Sequence, residues 1–188
     1  MWKKITVCLL LLLTVSGCSE DRQPTQKALD FRTALMNAGG CSFEARISAD
    51  YGGRVYDFTL DCVYTNDGEA ALTVTEPEAI AGISATVSPD GAQVQFDGMA
   101  LDFGELANGS IAPMATPWLL GSCWLGGYIS AAGADGEWER VTILHGYHEE
   151  EVTLDTWLDE NNLPGRCEIS WNGQRYLTVE ISNFQLRR

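Results

Sequence analysis

The chain has 188 residues, with 26 acidic against 12 basic side chains and a formal net charge of −14. That length suits one domain with a sizeable core. So acidic a surface repels phosphate backbones and anionic headgroups, which excludes nucleic acid as a partner.

The N-terminus runs Lys3, Lys4, an apolar stretch from Ile5 to Leu13, then Thr14-Val15-Ser16-Gly17-Cys18. A charged start, a short apolar core and small residues predict a secretory signal, since a spanning helix needs about 20 apolar residues. The five residues ending at Cys18 resemble the lipobox of bacterial lipoproteins. The resemblance implies that the Cys18 thiol carries a diacyl group with palmitate-type chains, and that the signal is cut just before it. At about 0.8 kcal/mol per buried methylene, two chains suffice for stable anchoring. An ordinary signal with an incidental cysteine is the alternative. The lipid reading divides the chain into a signal peptide, 1–17, a lipidated tether, 18–24, and a single domain, 25–188. It places that domain at the cell membrane, facing the extracytoplasmic side.

From Thr25 the pattern predicts a helix: Thr25 caps it, Ala28, Phe31, Leu35 and Ala38 share one face, and Gly39-Gly40 ends it. Residues 41–62 then alternate on both sides of a Tyr51-Gly52-Gly53 turn, which predicts a half-buried hairpin. With Ile47 facing Tyr56, Ala45 faces Phe58, Phe43 faces Leu60 and Cys41 faces Cys62. Directly opposed Cβ atoms lie about 4.5–5.5 Å apart, within adjustment distance of a disulfide. Cys8 leaves with the signal and Cys18 takes the lipid, so Cys41, Cys62, Cys123 and Cys167 remain. An even number in an exported domain points to disulfides in an oxidising compartment. Cys41–Cys62 is the favoured bond, with buried free thiols as the alternative; for Cys123 and Cys167 the order is reversed, buried thiols coming before a Cys123–Cys167 bond.

Further strand signals follow at 70–75, 83–87, 93–97 and 101–103, with turns at Pro89-Asp90-Gly91 and Asp97-Gly98. The second half gives 126–132, 137–147, 151–158, 166–171 and 174–186, the last two around Asn172-Gly173. That is roughly nine short strands at meander spacing, in an antiparallel sheet. Between the two halves, residues 107–134 hold no charged side chain, although 20% of the chain is charged. Glycines, prolines and serines break this stretch too often for a membrane span. Pro113 to Leu125 reads as one or two apolar helical turns, with Pro117 in a first-turn position. A helix apolar all round is either buried in a core or covers something apolar.

The segment Thr156-Trp157-Leu158-Asp159 to Leu163-Pro164, then Cys167-Glu168-Ile169, Asn172-Gly173 and Leu177 to Asn183-Phe184, resembles the closing strands of the LolA/LolB-like lipoprotein-carrier superfamily. About 30 residues carry the likeness directly. It implies an α+β, mainly antiparallel fold: a half-open curled sheet, or incomplete barrel, with an N-terminal helix and an apolar helical insert in its concave mouth. It further implies a cavity that takes acyl chains. The motif marks the fold more than any site, and fold does not fix function.

Catalytic signals are missing: the chain has no Gly-x-Ser-x-Gly elbow, no phosphate loop and no Cys-x-x-Cys pair. His145, His148 and Glu149 lie close in sequence, but strand positions three apart point to opposite faces, so no metal is expected. No cofactor is called for. Trp138, between Glu137 and Glu139, is either a sugar-binding ring or an inward strand residue. The reading is therefore a lipid-anchored, non-catalytic binding protein whose partners are the membrane, through Cys18, and an apolar lipid ligand or an envelope protein. Phe43, Ile47, Phe58, Leu60, Leu72 and Val74 form the cavity wall, and Trp118, Leu119, Leu120, Trp124 and Leu125 its lid. The alternative is an envelope recognition module, for carbohydrate or a partner protein, with a filled core and exposed binding loops.

Overall fold

The computed structural model describes residues 22–89, 91–96, 99–103, 112–146 and 151–187. Helix α1, Arg22–Ala38, leads into β1 (Gly40–Asp50), β2 (Val55–Thr65), β3 (Ala70–Glu76), β4 (Ser84–Ser88), β5 (Gly91–Phe96) and β6 (Met99–Phe103). A 3-10 turn, Pro113–Ala115, opens helix α2 (Thr116–Gly126). Then come β7 (Tyr128–Asp135), β8 (Trp138–His145), β9 (Val152–Leu158), β10 (Pro164–Trp171) and β11 (Gln174–Leu186). Each segment that alternates in the sequence is one of these strands.

Among the described residues the 11 strands form one antiparallel sheet in the order β6-β5-β4-β3-β2-β1-β11-β10-β9-β8-β7. Two meanders are thus zipped together where β1 pairs with β11, and β6 and β7 are left as unpaired edges. The sheet curls without closing, as the sequence predicted. Helix α2 belongs to the connection between these two edges, so the topology itself carries it across the open side.

Helix α1 buries Ala28, Phe31 and Leu35 at helical spacing. It begins at Arg22 rather than at the expected Thr25. Pro24 falls in its first turn, where proline forfeits no helical hydrogen bond. Gly39, at φ 83°, stops the helix. The Asn66 amide donates to the carbonyls of Leu35 (3.2 Å) and Met36 (2.8 Å), closing its C-terminal end.

The first hairpin has the expected faces and a different register. Phe43 lies opposite Cys62, Ala45 opposite Leu60, Ile47 opposite Phe58, Ala49 opposite Tyr56 and Cys41 opposite Tyr64. Asp50 pairs with Val55, so the loop is the four residues Tyr51 to Arg54, where Asp50 Oδ1 accepts the Gly52 N–H (2.8 Å). A shift of two residues leaves every side chain on its own face, so the apolar alternation is blind to it. Cys41 and Cys62 are consequently not directly opposed, and Cys41, Cys62, Cys123 and Cys167 stand as buried free thiols.

The residues that carry the family likeness are the fold's hinges and stops. Asp159 Oδ1 accepts the N–H groups of Asn161 and Leu163, each at 2.8 Å, and so builds the loop that delivers Pro164 to the start of β10. Asn172 and Gly173 take positive φ (51° and 75°), as a tight hairpin turn requires. Asn183, at φ 55°, sits in a bulge where β11 spends an extra residue between the pairs Ser42–Gln185 and Glu44–Ser182. The bulge reverses the alternation and turns Phe184 inward against the core.

Candidate functional site

The concave layer of the sheet is where the expected wall and lid residues meet. Phe43, Ile47, Leu60, Leu72 and Val74 are buried on it, and Phe58 is half-buried against them. Leu119, Leu120 and Trp124 of α2 are buried in the same cluster, with Trp118 and Leu125 half-buried at its margin. Helix α2 is covered almost all round, because it fills the volume that an unclosed sheet leaves empty. Gly121 allows the contact: a Cβ there would stand 2.3 Å from the Tyr64 ring of β2.

Four rings tie the two helices to the sheet. Phe31 of α1, Phe43 of β1, Trp124 of α2 and Phe184 of β11 lie with centroids 5.6–6.0 Å apart. Trp124 Nε1 donates to Thr156 Oγ1 (3.0 Å), so the largest buried side chain has its polar atom satisfied. The void left between α1, α2 and β7–β9 has a volume of about 10 Å³ and is lined by Phe31, Trp124, Val141, Ile143, Thr156 and Leu158 among others. That is about one water and no acyl chain.

Polar ties hold α2 at both ends. Arg32 of α1 donates through Nε to the Trp124 carbonyl (2.7 Å) and through Nη2 to those of Gly127 (2.7 Å) and Cys123 (3.5 Å). A cation at a helix C-terminus meets the negative end of the helix dipole and its unpaired carbonyls. Burial lowers the Arg32 pKa from its ordinary value. At the other end, Trp118 Nε1 donates to the Gly68 carbonyl (3.1 Å) in the β2–β3 turn.

One carboxylate shares this layer. Glu139 alternates in phase with Val141 and Ile143 and is only 7% exposed. Its Oε2 lies 3.1 Å from Lys27 Nζ of α1, and its Oε1 is buried with no hydrogen-bond partner among the described residues. Neither Arg32 nor Glu139 was singled out from sequence. The signals were there: Arg32 sits next to Phe31 and four residues after Ala28, and Glu139 occupies an apolar-phase position of its strand.

The four thiols belong to the same cluster. Burial pushes Cys41 and Cys167 up to about 12 and raises Cys62 and Cys123 as well, so all four are protonated and inert. His145 closes β8, where burial lowers its pKa. His148 and Glu149 lie outside the described residues, as do Cys18 and the signal. Among the described residues no group of three His, Cys, Asp or Glu side chains is placed to hold a metal, and no helix is long and apolar enough to cross a membrane.

The outer layer of the sheet is polar and carries the larger depressions. One, of about 570 Å³, is lined by Ser42, Asp61, Thr73, Ser84, Thr86 and neighbours. Another, of about 720 Å³, is lined by Arg46, Asp57, Thr59, Thr75, Glu76 and neighbours. Trp138 is 41% exposed, with its ring packed over Gly165. At the end of the sheet formed by the β1–β2 and β10–β11 turns, Phe58, Tyr56, Tyr51, Tyr176 and Trp171 form a row with centroids about 6.4 Å apart.

No family model matches this sequence, and no curated protein matches it. Solved structures do match. A LolA-superfamily protein of Nitrosomonas europaea aligns over 88% of this chain and 94% of its own, at 7% identity and a TM-score of 0.50. A DUF1329 family protein of Desulfovibrio piger aligns over 87% of this chain and 93% of its own, at 9% identity and a TM-score of 0.49. The lipoprotein LppX of Mycobacterium tuberculosis aligns over 85% of this chain and 95% of its own, at 11% identity and a TM-score of 0.40. At such identities the likeness is one of fold.

Proposed function

We propose that this chain is a non-catalytic envelope protein that takes the acyl part of a lipid or lipoprotein onto its concave layer, with α2 as the plug that the ligand displaces. A lipid on Cys18 holds the domain at the membrane surface, facing the extracytoplasmic side. The observation that carries the reading is the way α2 is seated. It is an uncharged helix filling the mouth of an unclosed sheet, fastened at its C-terminal end by one arginine from another helix. Gly126, its last residue, and Gly127 directly after it offer a hinge.

The energetics permit the exchange. Lifting α2 exposes Leu119, Leu120 and Trp124, at about 2–3 kcal/mol each. An acyl chain of about 15 methylenes entering the same volume from water returns roughly 12 kcal/mol, at about 0.8 kcal/mol per methylene. The void of about 10 Å³ is then the closed state of the site.

Mass spectrometry of the full chain purified from its native envelope tests this directly. Acylated molecules released in near-stoichiometric amount are the expected result. No bound lipid, together with no uptake of a pyrene-labelled monoacylglycerol, overturns the reading. Arg32→Met should speed that uptake, because it removes the three hydrogen bonds that Arg32 makes at the C-terminal end of α2. Cys18→Ala should release the domain or leave the precursor uncut, and unchanged processing and retention contradict the anchor.

A recognition module is the second reading, favoured by the filled interior and by the exposed Tyr51 and Tyr56 in the aromatic row at the end of the sheet. Loss of envelope-partner binding in Tyr51→Ala/Tyr56→Ala, with no lipid in the interior, would favour it.

A further inference from the structure

Glu139 spends one oxygen on an ion pair and keeps the other buried without a hydrogen-bond partner among the described residues. A buried oxygen that accepts no hydrogen bond costs on the order of 1–3 kcal/mol, more when it is charged, so such atoms are rare. The outer layer of the same sheet shows what satisfaction looks like: Asp155 of the adjacent strand β9 accepts from Arg140 Nε (3.1 Å), Arg140 Nη2 (2.7 Å) and Thr142 Oγ1 (2.6 Å). Glu139 has one ion pair, through Oε2, with a lysine side chain that is 41% exposed. Its Oε1 has none.

Its position relative to the interior void is set by the sheet. Val141, the next inward residue on β8, lines the void, and so does Leu158, which faces Glu139 across the β8–β9 ladder. Lys27 precedes Ala28, which lines it from α1. Glu139 therefore stands at the margin of the volume assigned above to the acyl chain, its free oxygen on the inner side of the sheet. The polar side chains that line the void are themselves engaged: Arg32 with three carbonyls, and the Thr156 hydroxyl with Trp124 and Cys167.

We infer that Glu139 is a headgroup-binding residue, and that the ligand is an amphiphile whose head donates a hydrogen bond, a hydroxyl or an ammonium, to Oε1 while its tail enters beneath α2. This rests on the acyl-binding reading and adds a selectivity to it. A free fatty acid, whose ionised head carries no donor and repels a second carboxylate, is the disfavoured ligand. A hydroxyl bonded to a buried carboxylate is a charge-assisted contact of the stronger class.

The test uses the full chain in phospholipid nanodiscs, with empty discs as the blank, and tryptophan fluorescence as the signal, because Trp124 borders the void. Octanoylglycerol, octylammonium and octanoate are titrated below their micellar concentrations. Wild type should bind the two donor heads about tenfold more tightly than octanoate, the ratio expected from one hydrogen bond to a charged group. Glu139→Gln, isosteric and able to donate, should bring that ratio to within about twofold. The order of octanoylglycerol and octylammonium separates a glycerol-type from an ammonium-type head, both within the claim.

If all three bind wild type equally, or Glu139→Gln keeps the tenfold preference, a bridging water satisfies Oε1. The headgroup role then falls while acyl binding stands. If none binds, both fall. Should Glu139→Gln not fold, Lys27→Met carries the test, since it leaves the carboxylate in place without its cation. A wider preference for donor heads is expected, and an unchanged or narrower one overturns the inference.

Discussion

Glu139 and Asp155 stand on adjacent strands, each 7% exposed, on opposite layers of the same sheet. Asp155, on the outer layer, is held by Arg140 and Thr142, beside a Trp157 ring that lies under Arg140 and Arg166 and donates to Asp135. Glu139, on the inner layer, keeps an oxygen with no partner among the described residues. The outer layer is thus a finished structure, in which buried charge is matched and helps fix the register. The inner layer is apolar packing with a plug across it and one polar loose end. A sheet built only for stability has no reason to treat its two carboxylates so differently. A sheet whose inner layer receives something does.

Substitutions can press on that contrast, beginning with the inner packing. Trp124→Ala removes the ring that meets Phe31, Phe43 and Phe184, and should cost about 3–5 kcal/mol in urea unfolding. A loss under about 1 kcal/mol would mean that α2 is not packed as described. Asp155→Ala should cost about 2 kcal/mol, at the lower end for a buried pair because the Arg140 side chain, 48% exposed, returns to water.

The thiols respond to pH. Their folded pKa values lie above the usual thiol value near 9, so the folded state holds protons that the unfolded chain gives up first. Stability should be level below about pH 9 and fall as pH climbs toward 12, by up to about 1.4 kcal/mol per unit for each thiol. Unfolding midpoints at pH 8 and pH 10.5 check it, and equal midpoints contradict it. Glu139→Gln should have the smallest effect, within about 1 kcal/mol, because the lost pair is half-solvated and the orphaned charge goes with it. A cost as large as that of Asp155→Ala would make Glu139 an ordinary structural acid.

What the sequence made legible follows from what side-chain patterning encodes. Alternation reports which way a residue points, so the inner residues from Phe43 to Val74 and the apolar helix between the edges were readable. Parity repeats every two residues, so it could not tell the expected Cys41–Cys62 alignment from the observed pairing of Phe43 with Cys62. The decision lay in a four-residue loop closed by Asp50. Turn chemistry was legible at Asn172-Gly173 because its backbone demand is local. The bulge at Asn183 was present in the sequence only as a familiar Asn-Phe pair, and its effect, turning Phe184 inward, needs the partner strand. Arg32 and Glu139 were missed for a related reason: a charged residue on an apolar face reads as noise until the surfaces facing it are known.

In the proposed exchange, α2 leaves its seat when a ligand occupies the concave layer. Hydrogen–deuterium exchange of the full chain with and without a monoacylglycerol measures this at the helix itself. The account predicts that amides of residues 116–126 exchange faster in the bound state while those of β8–β11 become slower. Bound ligand with α2 equally or better protected would contradict it, and would make the helix a permanent part of the core.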